Sequence, residues 1–466
     1  MTSIWWIRRD LRLTDNPALQ NALEAATVIP VFILDPDLLS KSAPRRQAFL
    51  FNSLRALDMD LRQRGSYLVV RRGDPLESLR SLLVETGAST IYAEEDYTPY
   101  ARKRDSAIAR ELPLELVLGQ VVQHPEFVKK ADGTPYTVYT PYSKVWKSLL
   151  PESLSIIPAP EHIPTPKGIQ SLSLPEAPEN DIFPAGETEA LRRLNQFSET
   201  QIYRYAETRN RMDLDGTSAL SPYIRFGMIG LRQAVSSARQ AIRAVLNPTK
   251  GLAGSPEDEF GAEVWLNELI WREFYIQILY HFPHVIKTAF NPSLAKIRWR
   301  DDVSNFERWK DGQTGYPVVD AAMRQLRQTG WMHNRARMIV ASFLVKDLLI
   351  NWQWGERWFM ESLLDGDLAA NNGGWQWTAG TGTDAVPYFR IFNPTLQSKK
   401  FDPNGDYIRE WVPELAHLPT EAIHAPWEKN AEILHYPKPI INHHVAREIA
   451  LAAYKLSKTN FDRSTQ

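Results

Sequence analysis

One helical face carries the first chemically suggestive set of side chains. Glu268, Trp271, Arg272 and Tyr275 recur at i, i+3, i+4 and i+7, so a carboxyl, an indole plane and a guanidinium sit side by side. Such a face can stack on a flat ring and bond its polar edge. On this helix alone, an aromatic core stripe with a surface ion pair is an equal reading. A second helix is expected to contain Gly330–Met338, with Asn334, Arg337 and Met338 on one face. Around it, from Ala321 to Lys346, stand Arg324, Arg327, Arg335, Arg337 and Lys346 with no acidic residue between them. Basic residues mixed with aromatics are a footprint of nucleic-acid binding; a solvated helix face is the plainer alternative.

A third stretch runs from Asp365 through Gly366 and Asp367 to Asn371, Asn372, Gly373, Gly374, Trp375 and Trp377. Its asparagines and glycines favour turns and close backbone approach, so it does not read as a plain helix. A polar, glycine-rich segment among indoles suits a planar heterocycle, which needs stacking and edge hydrogen bonds together. A fourth, Asp215–Pro222, offers successive N–H and O–H donors ahead of a helix. An anion such as a pyrophosphate fits there, although an ordinary N-cap looks the same.

Two decoys fall on context. Gly380–Ala385 matches a dinucleotide fingerprint of the GxGxxA type, but it follows no expected strand and Pro387 closes off any helix. His281 and His284 are separated by Pro283 and have no carboxylate at ligand spacing, so no metal site is expected. There is no G-x-S-x-G motif and no P-loop.

The elements that must position these groups change along the chain. In the first ~125 residues, short apolar runs (Ser3–Arg8, Val28–Leu34, Tyr67–Arg71, Thr90–Ala93, Glu115–Val122) alternate with helix-like stretches, several opening on proline. This alternation predicts a doubly wound parallel sheet with ligands beyond the carboxyl ends of its strands, where Asp35 and Asp96 fall. Residues 151–185 hold eight prolines and read as a linker. Beyond ~190 amphipathic helical patterns take over. The expected organisation is an α/β domain over 1–130, an interdomain linker over 131–195 and an all-helical domain over 196–466.

Bulk properties narrow the classes. Formal net charge is −1 over 466 residues, so any attraction for a polyanion must be gathered locally. The absence of cysteine excludes disulfides, thiolate metal sites and cysteine nucleophiles. The N-terminus lacks a signal-peptide h-region and no run is long enough to span a membrane. The expectation is a cytoplasmic protein with no membrane association.

Taken together, WIRRDLRL at Trp6–Leu13, WLNELIWREFY at 265–275, TGYPVVDAAMRQLRQTGWMHNRARM at 314–338 and DGDLAANNGGWQW at 365–377 resemble the photolyase–cryptochrome family. The resemblance spans nearly the whole chain and lies nearest the microbial cyclobutane pyrimidine dimer photolyases. It implies FAD in the helical domain. Tyr205 and Thr217, Ser218, Ala219, Leu220 and Ser221 match the phosphate-binding residues. Arg337 and Asp365 resemble the ion pair beside the isoalloxazine, with Gly366 and Asp367 nearby. Asn371 matches the residue facing flavin N5, an aspartate in plant-type cryptochromes.

The same resemblance assigns Glu268 to the lesion's carbonyls, Asn334 and Met338 to its pocket, and Trp271 and Trp377 to stacking on the flipped dimer. Photolyases are themselves a standing example of base flipping. Arg209, Arg272, Arg335 and Arg390 look like phosphate contacts. Trp375, Trp352 and Trp299 occupy the positions of an electron-transfer chain, with core packing as the alternative for each. For an antenna chromophore, Ile33, Leu34, Asp35, Arg46 and Asp96 resemble contacts of members that bind 8-hydroxy-5-deazaflavin; methenyltetrahydrofolate or a flavin are the alternatives. The function implied is light-dependent dimer repair in damaged DNA by a monomer with no obligate protein partner. A cryptochrome photoreceptor and a (6-4) photolyase are its rivals. Asn371, Glu268, Met338 and the lack of a long tail after the helical domain weigh for repair.

Overall fold

The computed structural model describes residues 1–41, 43–246, 256–429 and 435–465. Five strands, β1 (Thr2–Ile7), β2 (Thr27–Leu34), β3 (Val69–Arg72), β4 (Thr90–Glu94) and β5 (Leu114–Val117), form one sheet in the order β3-β2-β1-β4-β5. Every neighbouring pair is parallel. Ile4, Ile29, Val31, Val69 and Ile91 bury one face beneath the crossover helices. The chain builds outward from β1 through β2 to β3, then returns to place β4 on the other side of β1. That reversal opens a crevice at the carboxyl ends of β1 and β4.

Pro17, Pro44, Pro75 and Pro99 each open a helix, where a missing N–H costs nothing. Asn16, Asp74 and Thr98 cap three of these helices through their side chains. The fifth strand is shorter than expected. Past Val117 the backbone leaves the sheet, and the N–H groups of Val122 and Gln123 donate to the Glu273 carboxylate instead.

The Trp6–Leu13 motif is structural. Asp10 accepts from Trp5 Nε1 (2.8 Å) and the Arg8 N–H (2.8 Å), which folds the chain sharply after β1. Arg12, 1% exposed, pairs with Glu94 at 2.6 Å and donates to the carbonyls of Asp15 and Gly227. The Leu11 N–H donates to the Phe226 carbonyl (3.1 Å), and the N–H groups of Leu13 and Thr14 donate to the Glu187 carboxylate (2.7 and 2.9 Å).

The stretch expected as a linker is more ordered than its prolines suggest. Helices Tyr139–Ser148 and Glu187–Gln196 occupy its two ends. Between them the chain lies on the sheet, with Val28 N–H donating to the Pro164 carbonyl, Ile163 N–H to Arg64 and Leu172 N–H to Val70. Proline cannot donate to a ladder but still offers its carbonyl, so a proline-rich strap can cover a sheet edge.

Compactness divides the chain differently from composition. One unit contains Met1–Ala206 and Ser218–His281; the other contains Glu207–Thr217 and Phe282–Gln466. The second unit is helical, apart from isolated bridges and connections, and is built around Trp309, Val319, Leu344, Ile350, Trp352 and Trp375. No helix among the described residues is long and apolar enough to cross a membrane.

Candidate active site

In the first unit, Glu268, Trp271 and Arg272 lie on the helix Pro256–His281, as their spacing requires, and all three are half-buried. Tyr139 stacks on Trp271 with ring centroids 3.8 Å apart and planes within 4°. Phe274 closes the edge of the same indole at 90°. Glu273 is fully buried on the next position and also accepts from Trp146 Nε1. Burial pushes its carboxyl up to about 7, against the lowering effect of those donors.

The same unit holds Tyr205, buried edge-to-face against Phe197, and the turn Ser218–Ser221. Ala219 has φ 47°, a left-handed conformation rare outside glycine, and Ser221 opens the short helix Ser221–Arg225. The hydroxyl-rich run is therefore a turn ahead of a short helix and not part of an uninterrupted one.

The antenna candidates sit at the carboxyl ends of β2 and β4. Ile33 and Leu34 end β2, Asp35 follows it and accepts from Tyr100 Oη, and Arg46 lies in the first turn of the helix Pro44–Arg62. The guanidinium groups of Arg8 and Arg104 each lie 4.7 Å from the Trp6 ring. Burial pushes the Asp96 carboxyl up, but Arg9, Arg8, the Thr98 N–H and Arg104 outweigh it and hold it below the ordinary aspartate range.

In the second unit, the expected helix across Gly330–Met338 is two helices. Gly330, at φ 73°, ends the helix Pro317–Thr329, and a new helix runs Asn334–Ser342. His333 caps it through Nδ1. Burial, with Arg335 and Arg337 close by, pushes this imidazole down to about 4, so it stays a neutral acceptor. Asn334 is exposed, while Arg337 and Met338 are half-buried.

The expected basic patch dissolves into separate contacts. Arg324 pairs with Glu414 and Arg327 with Asp311. Lys346 is 1% exposed, donates to the carbonyls of Ala379 and Tyr388, and has its ammonium pushed down to about 7 by burial. Arg335 donates to Asn210 Oδ1 and lies 4.3 Å from the Phe401 ring. Acidic partners distant in sequence account for much of the difference.

Arg337 donates through Nε to the Met332 carbonyl (2.9 Å) and through Nη2 to Asp365 Oδ2 (2.7 Å). Asp365 is 8% exposed, and its Oδ1 has no hydrogen-bond partner among the described residues. The Asp365–Trp377 stretch is also more regular than expected. Asp367 caps a helix over Leu368–Ala379 by accepting from Ala369 and Ala370 N–H, and Gly380 ends it at φ 77°. The GxGxxA decoy is thus a helix C-terminus. Cap strength at both ends carries the two asparagines and two glycines through a helix that propensity alone disfavours. Asn371 Nδ2 donates to the Glu356 carbonyl (2.9 Å), leaving the amide oxygen as an acceptor.

Trp375 and Trp352 are buried in one cluster, and the half-buried Trp299 packs against it. A Cβ at Gly355 would lie 2.1 Å from Trp375 Cη2, so this glycine makes room for the indole. Trp309, which spacing did not single out, meets the Trp375 ring at 6.2 Å. Trp377 and Arg209 are half-buried, Thr217 belongs to this unit, and Arg390 is exposed. Sequence reasoning also missed Tyr139 and Glu356, whose nearness to the chosen residues is tertiary, and Glu273, which directly follows Arg272 on the same helix.

The family model described as DNA photolyase matches residues 3–166, and the one described as FAD binding domain of DNA photolyase matches residues 265–456. A deoxyribodipyrimidine photo-lyase of Salmonella typhimurium is 40% identical, covering 98% of this chain and 99% of that protein. A bacterial class III photolyase from Agrobacterium tumefaciens superposes with a TM-score of 0.90 at 38% identity, covering 98% of each chain. An archaeal photolyase from Sulfolobus tokodaii, solved with two FAD molecules, gives 0.82 at 32% identity, covering 98% of this chain and 100% of that one.

Proposed function

This chain belongs to the DNA photolyase family, and from that premise we propose that it repairs cyclobutane pyrimidine dimers in DNA under light. The observation that carries this reading is 40% identity over 98% of the chain to an enzyme named for that activity. FAD is its cofactor. The residues present fit a flavin: Asp365 Oδ1 is a buried acceptor without a partner, beside the fixed Arg337 guanidinium, and Asn371 keeps an acceptor oxygen. Arg337, Asp365, Gly366, Asp367 and Asn371 would hold the ring system, and Tyr205, Thr217 and Ser218–Ser221 the phosphates. When bound and reduced, FAD supplies the photoexcited electron that splits the dimer and receives it back.

The side chains of this protein bind, orient and exclude water. Trp271 and Trp377 offer flat apolar surfaces to a dimer turned out of the duplex, a lesion that pairs and stacks poorly and is therefore cheaper to extrude. Asn334 and Met338 line its pocket. Glu268 hydrogen-bonds the lesion carbonyls. That bond strengthens as negative charge develops on the pyrimidine, which is electrostatic stabilisation of the reacting state. Arg209, Arg272, Arg335 and Arg390 hold phosphates and fix register. The chain acts on damaged DNA as a cytoplasmic monomer.

The antenna reading is 8-hydroxy-5-deazaflavin. Its support is the placement of Ile33, Leu34 and Asp35 at the end of β2, Arg46 in the first turn of the helix Pro44–Arg62, and Asp96 just past β4.

The test is single-turnover illumination of reduced holoenzyme with DNA carrying one defined lesion, wild type beside Glu268→Ala. Splitting of the cyclobutane dimer, with a yield per absorbed photon that falls in Glu268→Ala more than affinity does, is the expected result. Repair of neither lesion, or of the (6-4) product alone, overturns the reading.

A further inference from the structure

The segment expected to be a linker supplies a ring to the lesion-binding face. Tyr139 is the first residue of the helix Tyr139–Ser148, and its phenol covers one face of Trp271 at 3.8 Å and 4°. Its hydroxyl donates to the carbonyl of Asn267 at 2.8 Å, one helical turn before Trp271. Phe274 abuts the indole edge perpendicularly at 5.4 Å and meets the Tyr139 ring edge-on at 5.9 Å. The phenol is therefore held at both ends, by a hydrogen bond and by a ring. The helix that carries it is itself fastened to Pro256–His281. Trp146 Nε1 donates to the buried Glu273, Gln277 Nε2 donates to the Tyr136 carbonyl at 2.7 Å, and Tyr142 packs edge-on against Phe274 at 5.3 Å.

A free indole rotates between rotamers and must be ordered when a substrate stacks on it, which weakens binding. An indole already sandwiched on one face has had that freedom removed in advance. Tyr139 is placed to do this, and Trp271, against which Tyr275 is tilted at 5.6 Å, remains only half-buried. We propose that Tyr139 is a positioning residue for damage recognition, and that the Tyr139–Trp271 pair is a preformed two-ring platform on which the extruded pyrimidine dimer stacks. This rests on the assignment of Trp271 as a stacking residue.

Undamaged duplex keeps its bases inside and meets the protein through phosphates, so it gains nothing from the platform. The readout is accordingly the ratio of affinities for dimer-containing and undamaged DNA of one sequence, measured on FAD-loaded enzyme in the dark. Tyr139→Leu is expected to lower affinity for dimer-containing DNA by about three- to tenfold, the range of an aromatic stack, with undamaged DNA unaffected. Repair yield per photon in the saturated complex should stay at the wild-type level. Tyr139→Phe keeps the ring and should keep the wild-type ratio. Should Leu cost flavin occupancy, Tyr139→Met and Tyr139→Phe give the same comparison. Equal losses on both DNAs, no loss on either, or a Phe variant as weak as Leu would overturn the proposal. Trp271→Leu is measured alongside: an unchanged ratio there removes Trp271 from stacking, a failure of the underlying reading that is visible separately from any result at Tyr139.

Discussion

Asn371 donates its side-chain amide to the main-chain carbonyl of Glu356 at 2.9 Å, and the adjoining Asn372 donates to the Glu356 carboxyl at 2.8 Å. One glutamate thus holds the polar pair at the start of the Leu368–Ala379 helix from two directions.

Burial pushes the Glu356 carboxyl up to about 7, against the lowering effect of Asn372 and Arg357. A carboxyl raised on folding favours the folded state while protonated. That contribution is full below the ordinary glutamate value of 4.5 and is lost as pH rises through about 7. Glu356→Gln keeps the shape and removes the titration. Between about pH 5 and about pH 8 the wild type should lose up to roughly 3 kcal/mol relative to the variant. Thermal unfolding of holoenzyme across that range checks it; parallel curves would mean that Glu356 does not titrate there.

Trp375→Phe should abolish photoreduction of oxidised flavin while FAD stays bound. Phenylalanine fits the space kept by Gly355 and Phe359, so the core should survive. Enzyme reduced chemically beforehand should still repair. Unimpaired photoreduction would leave Trp375, Trp352 and Trp299 as packing residues.

Arg390→Ala should weaken DNA binding and make its salt dependence shallower, by a log–log slope of about 1 for one lost phosphate contact. Arg335→Ala should do the same, with some added loss of stability from its Phe401 and Asn210 contacts. Binding titrations at several salt concentrations decide. A slope equal to the wild type's would place these side chains away from the backbone of DNA.

Asp96→Ala removes a carboxylate that Arg9, Arg8 and Arg104 keep ionised. It should lower retention of the antenna chromophore, seen as loss of a visible band distinct from that of reduced FAD, and leave repair under light absorbed directly by the flavin intact. A folate or a second flavin released by the wild type, with retention unchanged in the variant, would overturn the deazaflavin reading.

Local patterns carried far in this chain, and their limits are physical. Strand–helix alternation marked all five strands, and i, i+3, i+4 spacing placed Glu268, Trp271 and Arg272 together, because period and burial are written in neighbouring residues. Two features misled. Asn371–Gly374 looked too poor for a helix, yet Asp367 and Gly380 cap it at both ends. The basic run from Arg324 to Lys346 looked like a patch, yet Glu414 and Asp311 pair with two of its members and the core takes in Lys346. In the first case the cap Asp367 stands inside the stretch from which the pattern was read, and its effect outweighs the local propensities; in the second the deciding partners act outside that window. The stacking of Tyr139 on Trp271 was hidden for the same reason, since 131 positions of chain separate the two rings.

The fastening of the first unit bears on how such proteins can be dissected. Glu187 grips Leu13 and Thr14, and the carbonyls of Phe226 and Gly227 accept from Leu11 and Arg12. A gene fragment beginning near residue 190 would lack Leu11 and Arg12 and so leave the carbonyls of Phe226 and Gly227 without these donors. Chimeras face the same seam. An α/β portion transplanted from a relative must bring a turn after β1 that fits Glu187 and Phe226, or the graft inherits unpaired main chain at its junction.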